Sequence, residues 1–147
     1  LLLEELSERE ADYLVAVYKL SYHMDKVRLI DIARYLRVSK STASLMIKKL
    51  IRRDLLRKSN EGLLLTSKGI KIYREIAWRH GITELALMKL GLPPEDACRV
   101  AKCIEFRIPY EQLKRIWAKL GYPTICTHNK EFVAKAGKSP VTCRPVD

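Results

Sequence analysis

Asparagine and glutamine are nearly missing from this sequence: Asn60, Gln112 and Asn129 are the only three carboxamides in 147 residues. Thermophile proteins avoid these thermolabile side chains and favour charged ones, so a thermophile source is expected. Long hydrophobic runs are missing as well. No apolar stretch approaches the roughly 18 residues a membrane span needs, and the three leading leucines run straight into Glu4 and Glu5. A membrane protein and a secreted precursor are excluded on this reading, and a cytoplasmic location is expected. Cysteine is sparse: Cys98, Cys103, Cys126 and Cys143 do not resemble the disulfide framework of a small secreted domain. Metal binding or buried thiols remain, with an intracellular disulfide kept open for a thermophile. Neither a Gly-rich phosphate loop nor a nucleophile motif is present, and no general base stands apart from the His, Cys and Glu residues, which argues against an enzyme.

Negative charge is the other scarcity. Seventeen Asp and Glu stand against 28 Lys and Arg, for a net charge of +11. The imbalance is concentrated: residues 26–58 hold eleven basic side chains and only Asp31 and Asp54 against them, a net +9. Clustering of this kind points to a polyanion, most simply nucleic acid, rather than to a solvated charged face.

Hydrophobic spacing predicts a helix over residues 7–22, opened by Ser7 with Glu10 three residues on, the spacing of a capping box. A short apolar bridge at 27–30 leads to a helix over 31–36, a turn at 37–39 and a second helix starting near Ser39 or Ser41. On that second helix Leu45, Met46, Leu50 and Ile51 are expected to face inward, with Lys48, Lys49, Arg52 and Arg53 outside. Two short strands at 55–57 and 63–65 flank Asn60 and Gly62, which suit a hairpin turn. A helix over 68–90, weakened by Gly81, is stopped by Gly91 and the Pro93–Pro94 pair, and helices over 95–106 and 110–120 follow. The tail from Gly121 reads as loop.

Helix, short turn, helix and basic hairpin is the order of a winged helix-turn-helix. The fold expected is mainly α: an N-terminal winged helix-turn-helix with a two-stranded β wing, then a helical domain. Ser39, Ser41, Thr42 and Ser44 crowd the end of the second helix that enters the major groove, where hydroxyls reach base edges or phosphates. Ordinary helix capping accounts for one of them. Lys40 and Lys48 on the same helix, Arg28 ahead of the first, and Arg57 and Lys58 in the wing complete the DNA-binding set. Small Ala33 suits the crossing of the two helices.

The segments ADYLVAVYKL, DIARYLRVSKSTASLMIKKL, LLLTSKG, RHGITE, CIEFRIPYEQL and ICTHNK, in this order, resemble the diphtheria toxin repressor family of metal-dependent transcriptional regulators. The likeness runs from about Glu10 to Asn129. It implies a winged helix at 1–68, a helical dimerisation and metal-binding domain at 69–123 and a loop-rich tail at 124–147, without the further C-terminal barrel of some members. It also implies a homodimeric repressor on a palindromic double-stranded DNA operator, with neither a membrane nor a small organic substrate as partner.

The resemblance further implies metal ligands. His80 and Glu84, at i and i+4 on one helix face, match the family's ancillary pair, and Cys98 falls where another ligand of that site stands. Cys126 and His128 form a C-x-H pair in the tail. Cys103 is rotated away from Cys98 and is expected to pack as a small hydrophobe. The family's primary site is degraded: Asp12 and Glu105 survive, while Lys102 and Phe106 replace ligands. Lys102 is a candidate built-in cation between Asp12 and Glu105. Thiolate, imidazole and carboxylate together favour divalent zinc, with iron(II) or manganese as alternatives. Two other functions stay open. One is constitutive or redox-controlled DNA binding, the latter through Cys126 and Cys143, with structural or no metal. The other, of a different class, is a winged-helix protein-interaction module, which the basic density opposes.

Overall fold

Ser7 opens the first helix by a reciprocal exchange. Its hydroxyl accepts from the Glu10 N–H at 3.2 Å while its own N–H donates to the Glu10 carboxylate at 2.9 Å, so two otherwise unsatisfied donors are used. The computed structural model describes residues 6–123, in the order α1 (Glu8–His23), α2 (Leu29–Leu36), α3 (Lys40–Arg52), β1 (Leu56–Ser59), β2 (Gly62–Leu65), α4 (Ser67–Lys89), α5 (Pro94–Ile104) and α6 (Tyr110–Lys119). This is the expected mainly α architecture, with the helix-turn-helix, the wing and three further helices in sequence. The chain divides into two compact units between Tyr73 and Arg74, inside α4.

In the first unit α1 packs on α2, α3 and β2, and α3 packs on β1. Leu14, Ala16, Val17, Ile32, Ala43 and Leu50 are fully buried there. Arg37, in the left-handed region at φ 55°, ends α2 and starts the turn, and Val38 N–H closes it on Ala33 O at 2.9 Å. Ala33 and Ala43, one on each helix of the motif, are both buried. The inward face of α3 differs from the sequence expectation. Leu50 is inside and Met46 half-buried, but the buried row is Ala43, Ile47 and Leu50, while Leu45 is 69% and Ile51 37% exposed. Leu45 lies about 140° around the helix from Leu50, so one face cannot take both. The small Ala43 is chosen over the larger Leu45 because the neighbouring elements come close on that side.

The wing is an antiparallel pair in which Leu56 faces Leu65 and Ser59 faces Gly62. Val27, read as a bridge between helices, adds a parallel contact: Leu63 N–H donates to Val27 O at 2.8 Å. Gly62 permits it, since at φ 93° a Cβ would stand 2.4 Å from Val27 O.

In the second unit Trp78, Ile82 and Leu113 form the core, with Ile108, Tyr110, Ile116, Trp117 and Leu120 packed against it. Ile82 and Leu113 are thus part of the chain's own interior. Gly81 does not interrupt α4. That helix ends in a Schellman turn: Gly91 takes φ 105°, and the N–H groups of Gly91 and Leu92 reach Met88 O and Leu87 O at 3.0 and 3.1 Å. Cys103 is exposed rather than packed, because only Ala97 and Ala101 form the buried row of α5. Among the described residues no helix is long and apolar enough to cross a membrane.

Candidate functional site

The nine side chains assigned to DNA contact all reach the surface of the first unit. Arg28, Ser39, Lys40, Ser41, Thr42, Lys48, Arg57 and Lys58 are exposed, and Ser44 is half-buried. Arg28 precedes α2, where its N–H donates to Asp31 at 2.9 Å. Ser39 is the N-cap of α3. Its hydroxyl accepts from Thr42 N–H at 3.1 Å, donates to Thr42 Oγ1 at 2.8 Å and lies 3.0 Å from Ser41 Oγ. Capping therefore explains Ser39, and it ties the hydroxyls of Ser41 and Thr42 into the same small network. Opposite the buried row of α3 runs an exposed one: Ser41, Leu45, Lys48 and Arg52. Steps of four, three and four residues keep these four within about 60° of arc.

Lys49 and Arg53 have a role the sequence reading missed. Glu10, only 2% exposed on α1, receives Arg53 Nη1 at 2.6 Å and Lys49 Nζ at 3.2 Å. One carboxylate thus caps α1 and holds the last turn of α3. Burial pushes Glu10 upward, but the Ser7 N–H and hydroxyl, Arg53 and Lys49 together hold its pKa at about 2. With a lowered folded-state pKa, its stabilisation is fully present above the unfolded value near 4.5 and is lost as pH falls toward 2. The shift corresponds to roughly 3 kcal/mol. Urea unfolding across pH 2–6 is expected to show this loss in the parent and a flatter profile in Glu10→Gln; parallel profiles would contradict it.

The second unit gathers a different set. His80 on α4 bonds Glu105 through Nδ1, at 2.6 Å from Oε2. Its other nitrogen, Nε2, lies 3.6 Å from Cys98 Sγ and 3.8 Å from Glu84 Oε2. Glu84 and Glu105 are 1% and 5% exposed. The ancillary residues His80, Glu84 and Cys98 are thus brought together, and Glu105, read with the degraded primary set, joins them through the imidazole. Asp12 on α1 and Lys102 on α5 are exposed, and Phe106 is half-buried. Cys126 and His128 lie outside the described residues. Among those described, no three or more His, Cys, Asp or Glu side chains stand as a ready-made ion cage.

Beneath this set lies a buried polar anchor that the sequence reading did not single out. Arg79 Nε donates to Glu75 at 3.2 Å, and Nη1 donates to Glu105 O at 3.2 Å and Ile108 O at 2.8 Å. The Glu-x-x-x-Arg spacing at 75 and 79 was a readable signal; its burial was not. Arg79 holds the end of α5, and so the backbone from which Glu105 reaches His80.

Two family models match the chain, one after the other. Residues 5–62 match the family model for the iron dependent repressor N-terminal DNA binding domain, and residues 66–133 that for the iron dependent repressor metal binding and dimerisation domain. The HTH-type transcriptional regulator MntR of Bacillus subtilis is 32% identical over 106 residues, 71% of this chain and 75% of that protein. The crystal structure of ScaR with bound Zn2+ aligns at 30% identity with a TM-score of 0.74, covering 82% of this chain and 57% of ScaR. A hypothetical protein of Sulfolobus solfataricus, SSo2273, aligns at 25% identity with a TM-score of 0.71, covering 84% of this chain and 95% of its own. With its winged helix-turn-helix and its helical second unit, the chain belongs to the diphtheria toxin repressor and MntR family of metal-dependent, DNA-binding transcriptional regulators.

Proposed function

We propose that the protein is a dimeric, sequence-specific repressor that binds a palindromic operator and takes a divalent metal, zinc first, at His80, Glu84 and Cys98. The observation that carries the metal reading is the division of labour on His80. Nδ1 is held by Glu105, as an outer carboxylate holds a ligating imidazole, while Nε2 faces a thiol and a carboxylate. A tetrahedral zinc, with Zn–N near 2.05 Å and Zn–S near 2.3 Å, sets such ligands about 3.6 Å apart. His80 and Cys98 stand at 3.6 Å. The donor types therefore fit zinc; the primary positions do not, because Lys102 and Phe106 offer no lone pair to an ion. Bound there, the ion would neutralise a thiolate and the buried Glu84 carboxylate and join α4 to α5. Cys126 and His128 are the further ligands this reading assigns. Iron(II) suits the set next best, and manganese least, since it prefers oxygen donors.

For DNA the support is the exposed basic face of the first unit. A dimer neutralising about six phosphates would lose about a thousandfold in affinity between 50 and 200 mM salt. The test is binding to fragments of the chain's own upstream region, with and without chelator. Specific binding that is lost on chelation and restored by zinc or iron(II) is expected. Glu105→Gln should weaken zinc, measured by competition with a chromophoric chelator, by about 10- to 100-fold. Lys102 and Phe106 at the primary positions favour one other reading, constitutive DNA binding with structural or no metal. Specific binding indifferent to chelator would establish that reading and displace the first.

A further inference from the structure

We propose that Leu45 is a specificity-determining residue of this protein, reading the 5-methyl group of a thymine in the major groove. The inference rests on the DNA-binding reading above and names one contact within it. Leu45 is 69% exposed, the most exposed large hydrophobic side chain of the described residues in the first unit. Single exposed leucines are ordinary on protein surfaces, and exposure alone would carry nothing. Position is what distinguishes this one. Leu45 stands in the outward row Ser41, Leu45, Lys48 and Arg52, diametrically across α3 from Ala43, Ile47 and Leu50. The helix that bears it is the second of the helix-turn-helix, the one that lies along the major groove.

The neighbouring chemistry points to DNA rather than to a protein partner. Lys48, Lys49 and Arg52 flank Leu45 on the same helix, and no acidic residue occurs between Lys40 and Arg53. Three of the four hydroxyls at the start of α3 are engaged locally: Ser41 and Thr42 both bond the Ser39 hydroxyl. An aliphatic side chain in a major groove has one apolar feature to meet, the thymine C5-methyl. Water leaves both surfaces when they touch, and a cationic rim supplies the phosphate contacts that place them.

The probe is deoxyuridine, which keeps every hydrogen-bonding edge of thymine and lacks only its methyl. The whole 147-residue chain, with zinc, selects its site from a random DNA pool, and each thymine is then replaced by deoxyuridine symmetrically in both half-sites. For the parent, one thymine position should cost about fourfold in Kd per half-site, the value of one buried methyl. Leu45→Ala should bind the thymine site correspondingly weaker and be indifferent to deoxyuridine at that position. Because the side chain is exposed, Leu45→Ala should melt like the parent; were it to misfold, the deoxyuridine series on the parent alone still decides. A parent that binds a specific site but is insensitive to every thymine replacement overturns the inference and leaves the regulator intact. So does a methyl effect that Leu45→Ala retains in full. Selection that returns no preferred site overturns both this inference and the DNA-binding reading beneath it.

Discussion

Arg79→Ala should lose about 3–5 kcal/mol of stability, the cost of removing one partner from a buried ion pair. The side chain is 6% exposed and serves three acceptors: the Glu75 carboxylate and the carbonyls of Glu105 and Ile108. Removing it takes the guanidinium from Glu75, which is 3% exposed, and strips the donor from the backbone carbonyls of Glu105 and Ile108 after α5. Arg79→Lys should recover only part of the loss, since one ammonium cannot reproduce a fork that serves a carboxylate on one side and carbonyls on the other. Urea unfolding followed by circular dichroism measures both. The same variant should weaken zinc, because the backbone that presents Glu105 to His80 loses its anchor. Stability within 1 kcal/mol of the parent would show that the three contacts are replaceable by water.

Gly69→Ala is the second large effect, and its sign opposes local propensity. Gly69 lies in the first turn of α4, where alanine would by itself gain about 0.5–1 kcal/mol. Tertiary packing decides otherwise. A Cβ at this position would stand 2.1 Å from Leu55 O and 3.0 Å from Leu65 Cδ2. Leu55 O is not free to move aside, since it accepts the Thr66 N–H at 3.1 Å. Thr66 is itself committed: its hydroxyl accepts from Gly69 N–H at 3.0 Å and donates to Asp54 O at 2.6 Å. Helix start and wing are therefore welded through backbone atoms, and Gly69→Ala should cost about 3 kcal/mol, the upper end for overpacking. Gly91→Ala provides the contrast. There a Cβ meets nothing within 4 Å, and only the φ of +105° is unfavourable, so about 1 kcal/mol is expected. Thermal melts of the two variants should rank in that order, and equal losses would remove the close approach as the cause.

The difference between those two glycines shows what could be read locally. Gly91 was legible because a helix stop is a local event: a left-handed residue followed by prolines has one common use. Gly69 has no such local signature, because its reason is the Leu55 carbonyl, fourteen residues earlier in the chain. Glu10 divides in the same way. Its capping role follows from the Ser7 spacing, whereas its grip on Arg53 spans 43 residues and has no local signature. For α3, hydrophobicity alone favoured Leu45 and Ile51 as core, and only the packing of its neighbours placed the small Ala43 inside.

The sequence by itself determined the order of helices, turn and wing, the concentration of positive charge on the DNA-binding segment, and the family likeness. These depend on periodicity, on turn chemistry and on composition, all of which act between near neighbours. Tertiary structure alone decided that Glu105 turns to His80, that Arg79 is buried beneath them, and that Leu45 faces water among cations. Each of these depends on which surfaces meet across long stretches of chain, where side-chain identity permits several partners and packing accepts one.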